Sequence, residues 1–258
     1  MKINLKEKII NHFSDDERNE ALNLYEKYIL CRDKDISSFG KSFYTPNIWT
    51  WFEKNLSSND LKIESNGLFE DAERRMISFN NSYNNPFPMK LIKIENTSKF
   101  SKLSHRDFLG GILSLGIERN KIGDLLVDNN ICYVPIHEEI ENYIIYNLDK
   151  ISKVVCNVKV IDDFELLPKA QFKEDIILVS SLRIDGIVSK IINVSRSKAA
   201  EMIEQGLVLI NYVKIKNKSY ELKGEERITI RGYGKFILGD SIGNSKSGKI
   251  KIVIKKYT

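Results

Sequence analysis

The sequence predicts an α+β fold in three units, and three observations carry that prediction. Residues 80–88, NNSYNNPFP, break the hydrophobic periodicity with four asparagines and two prolines, the strongest boundary signal in the chain. Beyond it, stretches of strand-like and helical patterning alternate in the order β-α-β-β-α-β as far as residue 161. From residue 180 two helical patterns give way to strict alternation, and the charge changes sign. Residues 180–258 hold 16 Lys and Arg against 7 Asp and Glu, whereas residues 1–179 hold 24 against 28. The expected units are therefore a mixed α/β unit over 1–83, a βαββαβ unit over 84–165 and a basic unit over 180–258. A basic module on a mildly acidic body points to a polyanion, most often nucleic acid.

In the first unit, Asp15 or Asp16 is placed to cap a helix whose apolar positions Ala21, Leu22, Leu24, Tyr25, Tyr28 and Ile29 recur near helical spacing. Thr45-Pro46 reads as an N-cap with proline in the first turn, opening a helix through Trp49 and Phe52. Leu61–Glu64, the Asn66-Gly67 turn and Arg75–Phe79 read as strand, turn and strand. Trp49 and Trp51 are expected to pack in a core rather than to stack on bases.

The second unit opens with strand-like Leu91–Ile94. His105–Leu115 has the apolar spacing of an amphipathic helix, with His105 and Asp107 placed to cap its start. Leu125–Val127 and Ile131–Val134 flank Asp128-Asn129-Asn130 as a hairpin, Ile136–Leu148 reads as helical and Val154–Ile161 as a strand. This order is that of ferredoxin-like or RNA-recognition-motif-like folds. Its third strand, Ile131-Cys132-Tyr133-Val134, lacks the basic and aromatic run with which such motifs stack bases.

In the third unit Ile184, Ile187, Val188, Ile191 and Ile192 fall on one helical face. Ser195 caps a second helix, Arg196–Gln205, with Ala199, Met202 and Ile203 inward, and Gly206 supplies the left-handed residue that ends it. Val208, Ile210, Val213 and Ile215 then alternate with residues facing the other way, Lys214 and Lys216 among them, with a bend at Asn211-Tyr212. A turn at Leu222–Glu225 leads to alternating Arg227–Arg231. Gly239–Lys249 reads as a Gly/Ser-rich connection before a last strand, Ile250–Lys255.

Chemistry concentrates at the start of the second of these helices. Free backbone N–H groups and the positive end of the helix dipole meet two hydroxyls, Ser195 and Ser197, and two cations, Arg196 and Lys198. Arginine offers a planar fork to phosphate and lysine a point charge. Arg183, Lys214, Arg231 and Lys235 extend this surface if they share its side, and Arg106, Arg119 and Lys121 are further candidate contacts in the middle unit. The reading requires that Arg196 and Lys198 be neither occluded by protein nor neutralised by nearby acids.

The string Arg183-Ile184-Asp185, nine intervening residues, SRSKAAEMIEQGLVLIN and a later KGEERI resembles the S4 domain. That domain usually carries Arg-Leu-Asp, a Ser-Arg helix ending in glycine, a Val-x-Val-Asn strand and a Gly-Asp turn. This chain departs from the pattern at Ile210, at Tyr212 and at Gly224-Glu225. Upstream, Lys99-Phe100, Leu103-x-His105-Arg106-Asp107-x-Leu109-Gly110, Leu115-Gly116-Ile117-x-Arg119 and Lys121-Ile122-Gly123-Asp124 are similar to the middle domain of the bacterial YlmH family. Gly67 with Ala72-Glu73-Arg74-Arg75 is similar to its N-terminal domain. The resemblance implies a mixed N-terminal domain, an RNA-recognition-motif-like middle domain and a C-terminal S4 domain of the αL type. It implies RNA binding, ribosomal RNA and the large ribosomal subunit as partners with tRNA as a further candidate, and a part in ribosome-associated quality control of stalled nascent chains. Older naming ties the family to cell division, which no residue here supports.

Enzyme readings find little in the residues. His105-Arg106-Asp107 matches the kinase catalytic tripeptide, but the asparagine that chemistry needs is Ile112 here. Gly232-x-Gly234 lacks the third glycine of a dinucleotide loop, and no P-loop or nucleophile elbow occurs. Cys31, Cys132 and Cys156 stand 101 and 24 residues apart, outside any zinc-ligand spacing, and no cofactor is expected. The competing functions are an RNA-modifying enzyme of pseudouridine-synthase type and a division-associated scaffold. No run approaches the roughly 18 apolar residues of a membrane helix and MKINLKEKII lacks a signal-peptide core, so a cytoplasmic protein without a membrane partner is expected.

Overall fold

The structure, a computed structural model, describes residues 5–69, 71–98, 100–162, 167 and 172–257. Lys99 of the family-like string, and the end of the middle unit at 165, lie outside the described residues. The chain divides into two compact units, Met1–Pro168 and Lys169–Thr258.

The first unit begins with α1 (Leu5–His12), α2 (Asp15–Lys34), β1 (Ser38–Phe39), α3 (Pro46–Leu56), β2 (Ile63–Asn66) and β3 (Met76–Phe79), the strands forming an antiparallel sheet in the order β1-β3-β2. Sequence patterning misses α1 and β1. The cap of α2 is not an aspartate: Ser14 holds the extended cap conformation and Asp15 is already helical, where it pairs with Arg18. Thr45 and Pro46 open α3 as expected, but the Thr45 hydroxyl donates to Glu17 at 2.5 Å instead of capping its own helix. Ile48 and Phe52 are fully buried, and the Phe52 ring meets Phe79 edge-on. Trp49 is buried with its indole N–H on the Glu73 carbonyl, and Trp51 packs edge-on against Phe13 and Phe52, so both tryptophans are packing residues.

The same unit continues with β4 (Met89–Asn96), α4 (His105–Leu113), β5 (Leu126–Asp128), β6 (Ile131–His137), α5 (Glu141–Asn147), β7 (Lys150–Ile151) and β8 (Val154–Ile161). These strands form one antiparallel sheet, β5-β6-β4-β8-β7. Ile92, Ile94, Phe108, Ile112, Val134 and Ile144 form its core, so the period-two and helical patterns meet on one side. Asn129 and Asn130 take φ of 44° and 70°, the left-handed pair that a two-residue hairpin matching strand twist requires. The second helical stretch starts later than the apolar pattern suggests, because Ile136 and His137 belong to β6 and a 3₁₀ turn at Glu138–Ile140 intervenes. Residues 132–137 of β6 are buried on both faces. One reason is visible at Gly123, where a Cβ would come within 3.1 Å of both Phe43 and Pro135. Asn120 accepts the Phe43 N–H, and the Asp124 carboxylate accepts the N–H groups of Glu73 and Arg74.

The second unit holds β9 (Phe172–Val179), α6 (Ile184–Ile191), α7 (Arg196–Glu204), β10 (Val208–Ile210), β11 (Val213–Lys214), β12 (Arg227–Ile230), β13 (Gly234–Asn244) and β14 (Ile250–Tyr257). The sheet runs β11-β10-β12-β13-β14-β9. Ile184, Ile187, Val188, Ala199, Met202 and Ile203 of the helices share one core with Val208, Ile210, Ile228, Ile230, Leu238, Ile252 and Ile254 of the sheet. Gly206 has φ of 70°, ending α7 as expected, and Asn211 and Tyr212 make the tight bend at 46° and 68°. Three sequence expectations fail. Gly239–Asn244 is strand, kept in β13 by irregular pairing with β14, and only the segment after it turns. Val213 stands exposed on the edge strand instead of joining the core. Finally, β9 lies before residue 180 and pairs along its whole length with β14.

Candidate nucleic-acid interface

The junction of α6 and α7 is shaped by local hydrogen bonds. Asn193 takes a left-handed φ of 53°, the Ser189 hydroxyl donates to the Val194 carbonyl at 2.7 Å, and Ser195 follows as the cap of α7. The Ser195 hydroxyl oxygen accepts the Lys198 N–H at 3.1 Å, so that group serves its own helix.

Asp185 organises the site. It is 4% exposed, in the first turn of α6, and accepts five hydrogen bonds from three residues. Arg196 Nε and Nη2 reach it at 3.0 Å each, Arg183 Nε and Nη2 at 3.3 and 3.0 Å, and the Gly186 N–H at 2.8 Å. Burial alone would push this carboxyl up. The bonds from Arg183, Arg196 and Gly186 outweigh burial and hold it below the ordinary carboxylate range. Two guanidinium groups share one carboxylate, so the cluster keeps a surplus positive charge. Each guanidinium uses only its Nε–Nη2 edge on Asp185, which leaves the Nη1 donors of both for another acceptor. The Arg196 side chain is 56% exposed.

The requirement that Arg196 and Lys198 stand clear of acids is not met: both are ion-paired, and the groove keeps a phosphate contact only through the guanidinium donors that Asp185 leaves free and through opening of the Lys198–Glu201 pair. Arg196 is drawn to Asp185 because a buried carboxylate must be paired to stay charged. Lys198 pairs with Glu201 at 2.9 Å one turn along α7, both half-exposed. Such a solvated pair is worth only a few tenths of a kcal/mol and yields readily to a phosphate. Arg183, Arg196 and Ser197 line a shallow groove with Glu201, Glu204 and Lys218, the last paired with Glu204 at 3.3 Å.

Not every candidate joins this groove. Lys214 pairs across to Leu209, Leu209 to Thr229 and Thr229 to Lys235, which places both lysines in one row on the sheet face opposite Val208 and Ile228. That is the face away from the shared core and its helices. Arg231 is exposed in the turn after β12, its N–H on the Leu207 carbonyl.

In the first unit, Arg106 is exposed in the first turn of α4. Ser104, not His105, is the cap, with Asp107 completing a reciprocal capping box. Arg119 is held inward: burial first, then Arg74 nearby, pulls its pKa down to about 10, and it donates to the Ile122 and Gly123 carbonyls. Lys121 pairs with Glu139 and donates to the Lys41 carbonyl at 2.9 Å. Both side chains serve the loop that packs against residues 41–44. Among the described residues no group of His, Cys, Asp or Glu is placed to hold a metal, and no helix is long and apolar enough to cross a membrane.

One residue that carries this geometry, and one that lies apart from it, were not assigned a role by sequence reasoning. Asp185 is legible within Arg-Ile-Asp, but its second partner lies 11 residues on and becomes a neighbour only through the fold. Phe100 belongs to the family-like string, and only the structure shows that its ring is wholly exposed.

Comparison with known proteins matches residues 83–165 to a domain family described as "Putative RNA-binding domain in YlmH" and residues 182–228 to the S4 domain. The C-terminal unit thus contains an S4 domain within an α+β chain. Over 202 residues, 76% of this chain and 79% of the relative, the sequence is 24% identical to "Ribosome-associated protein quality control protein P2" of Bacillus subtilis (strain 168). The solved structure titled "Cell division protein ylmH from Streptococcus pneumoniae" is 24% identical and has a TM-score of 0.49, over 61% of this chain and 98% of that one.

Proposed function

The chain belongs to the YlmH family of S4-domain RNA-binding proteins, and on that premise we propose that it is a non-enzymatic factor that docks on ribosomal RNA of the large subunit. Its work in this reading is ribosome-associated quality control, in line with the name of the Bacillus subtilis relative, and we propose that it acts on stalled nascent chains in the cytoplasm with peptidyl-tRNA as a neighbouring contact. The observation that carries the reading is the pair of guanidinium forks aligned by buried Asp185, with donors to spare on an exposed surface. Such forks grip phosphate oxygens in a fixed geometry and read no bases, which suits recognition of a folded RNA by its backbone. Lys198 joins once its pair with Glu201 opens, and Ser197 offers a hydroxyl at the same groove. Lys214, Arg231, Lys235 and Arg106 supply outlying contacts, while Arg119 and Lys121 act by holding their loop.

The middle sheet reads as RNA-recognition-motif-like, with the strand order expected of that fold. Its third strand is sealed on both sides, so RNA contacts of this domain fall elsewhere than on that strand.

The test is binding of the full chain to large-subunit ribosomal RNA across a salt series. About four phosphate contacts give a log–log slope near −3 at roughly 0.7 per contact. Replacing both Arg183 and Arg196 by alanine is expected to weaken binding at least tenfold and flatten the slope by between one and two. An unchanged affinity and slope would remove the α6–α7 groove from the interface. Sedimentation of the tagged protein with large subunits, with crosslinked RNA sequenced from the peak, identifies the element bound.

A further inference from the structure

Phe100 is 99% exposed, which is exceptional for a phenyl ring. The described residues around it are nonetheless well fastened. Buried Asn96 donates to the Ser101 carbonyl at 2.7 Å and accepts the Ser98 N–H at 2.7 Å, and the Ser98 hydroxyl accepts the N–H groups of Phe100 and Ser101. Thr97 donates twice to the Val155 carbonyl, which brings Val155, 63% exposed, beside the same loop. An aromatic ring held out between fastened neighbours offers a face on which a base can stack.

Charge indicates which partner. Lys102 and Arg106 follow within six residues, both exposed and neither held in an ion pair with a described acidic side chain, with Asp107 as the neighbour that feels the Arg106 charge. The cations of the α6–α7 groove, by contrast, are all paired. Open cations beside an open ring suit a strand with phosphates and unstacked bases. A protein partner would more commonly meet an apolar patch with few charges at its centre.

Resting on the RNA-binding reading above, we infer that Phe100 is a stacking platform for an unpaired RNA base, with Lys102 and Arg106 holding the flanking phosphates. The middle domain would then take single-stranded RNA at the end of its sheet, where the loop between β4 and α4 lies, because the strand that normally presents stacking aromatics is buried on both faces.

The probe is an unstructured 12-nucleotide RNA carrying 2-aminopurine, titrated with the full chain, alongside structured large-subunit RNA. Stacking on Phe100 quenches or shifts the 2-aminopurine signal. Phe100→Ala is expected to weaken the short RNA about tenfold, to abolish that signal and to leave the thermal midpoint unchanged, since the ring packs on nothing. Phe100→Trp should restore both readouts. Lys102→Ala and Arg106→Ala should each flatten the salt slope by about 0.7. Unchanged binding and signal in Phe100→Ala, or a loss that Phe100→Trp fails to rescue, overturns the platform. If Phe100→Ala is inert while the Arg183 and Arg196 substitutions still weaken structured RNA, the platform alone falls and the proposed function stands. If the wild-type chain binds neither RNA, both fall.

Discussion

At the scale of single residues, Asp185 is where charge and shape make opposite predictions. Asp185→Asn raises the net charge of the S4 domain by one, so binding governed by charge alone would tighten. The amide also puts N–H donors against a guanidinium and loses acceptor positions, so both forks lose their alignment. We expect ribosomal RNA to bind about fivefold more weakly and the unit to lose about 1–3 kcal/mol in urea unfolding. Tighter binding would mean that Asp185 only dilutes charge. The folded carboxyl sits below its ordinary value of 3.8, so its stabilisation is complete above that value and is lost as pH falls through the lower folded one.

His137 predicts a separate acid response in the first unit. It is buried, its Nδ1 accepts the Glu139 N–H at 3.2 Å, and burial, only partly offset by Glu139, lowers its pKa from 6.5. That hydrogen bond requires the neutral ring. The stabilisation is therefore full above about pH 6.5 and declines as pH falls toward the folded pKa. Thermal melts between pH 7.5 and 5 should show the first unit weakening before the second, and His137→Asn should remove most of that slope. The residue scale is also where sequence reading was weakest. Arg196 and Lys198 were legible as cations, but their acidic partners were not, because one arrives from the preceding helix and the other competes one turn along the same helix.

At the scale of elements, capping accounts for much of the local order and is testable. Ser104 and Asp107 satisfy each other's backbone N–H groups at the start of α4. Replacing either by alanine should lower stability by about 1 kcal/mol, read from the urea midpoint at constant m-value. Elements fixed by local chemistry were legible: α6, α7, the Gly206 stop, the hairpins at Asn129-Asn130 and Asn211-Tyr212, and proline at the start of α3. Elements fixed by distant partners were not. β9 carries the charged run Lys173-Glu174-Asp175 right after its first residue and becomes a strand by pairing with β14. Gly239–Asn244 looks like a linker, yet β14 holds it in the sheet, and Gly239 is small enough to let the Val253 carbonyl approach.

For the whole molecule, the two compact units have cores of their own, and the buried C-terminal core draws only on residues between 177 and 254. A piece beginning at residue 169 should therefore fold alone with a cooperative melt. One beginning at residue 180 discards β9, with buried Ile177 and Val179, each worth about 1.5–3 kcal/mol. That shorter piece should melt at much lower temperature or without cooperativity in far-UV circular dichroism. Equal stability of the two would show β9 to be dispensable. The charge contrast that first suggested a nucleic-acid partner coincides with this division into units.

The pairing of β9 with β14 also has a kinetic consequence. Its partners lie 71 to 85 residues apart along the chain, from Val179 with Ile250 to Phe172 with Tyr257. Closing so long a loop before any contact repays it is slow, so this seam belongs late on the folding route, after the helix pair and the nearer hairpins have formed. Contacts made after the transition state set how long the native state lasts, not how quickly it is reached. The lifetime of the C-terminal unit is accordingly expected to follow its outermost strand, on the far edge of the sheet from β11.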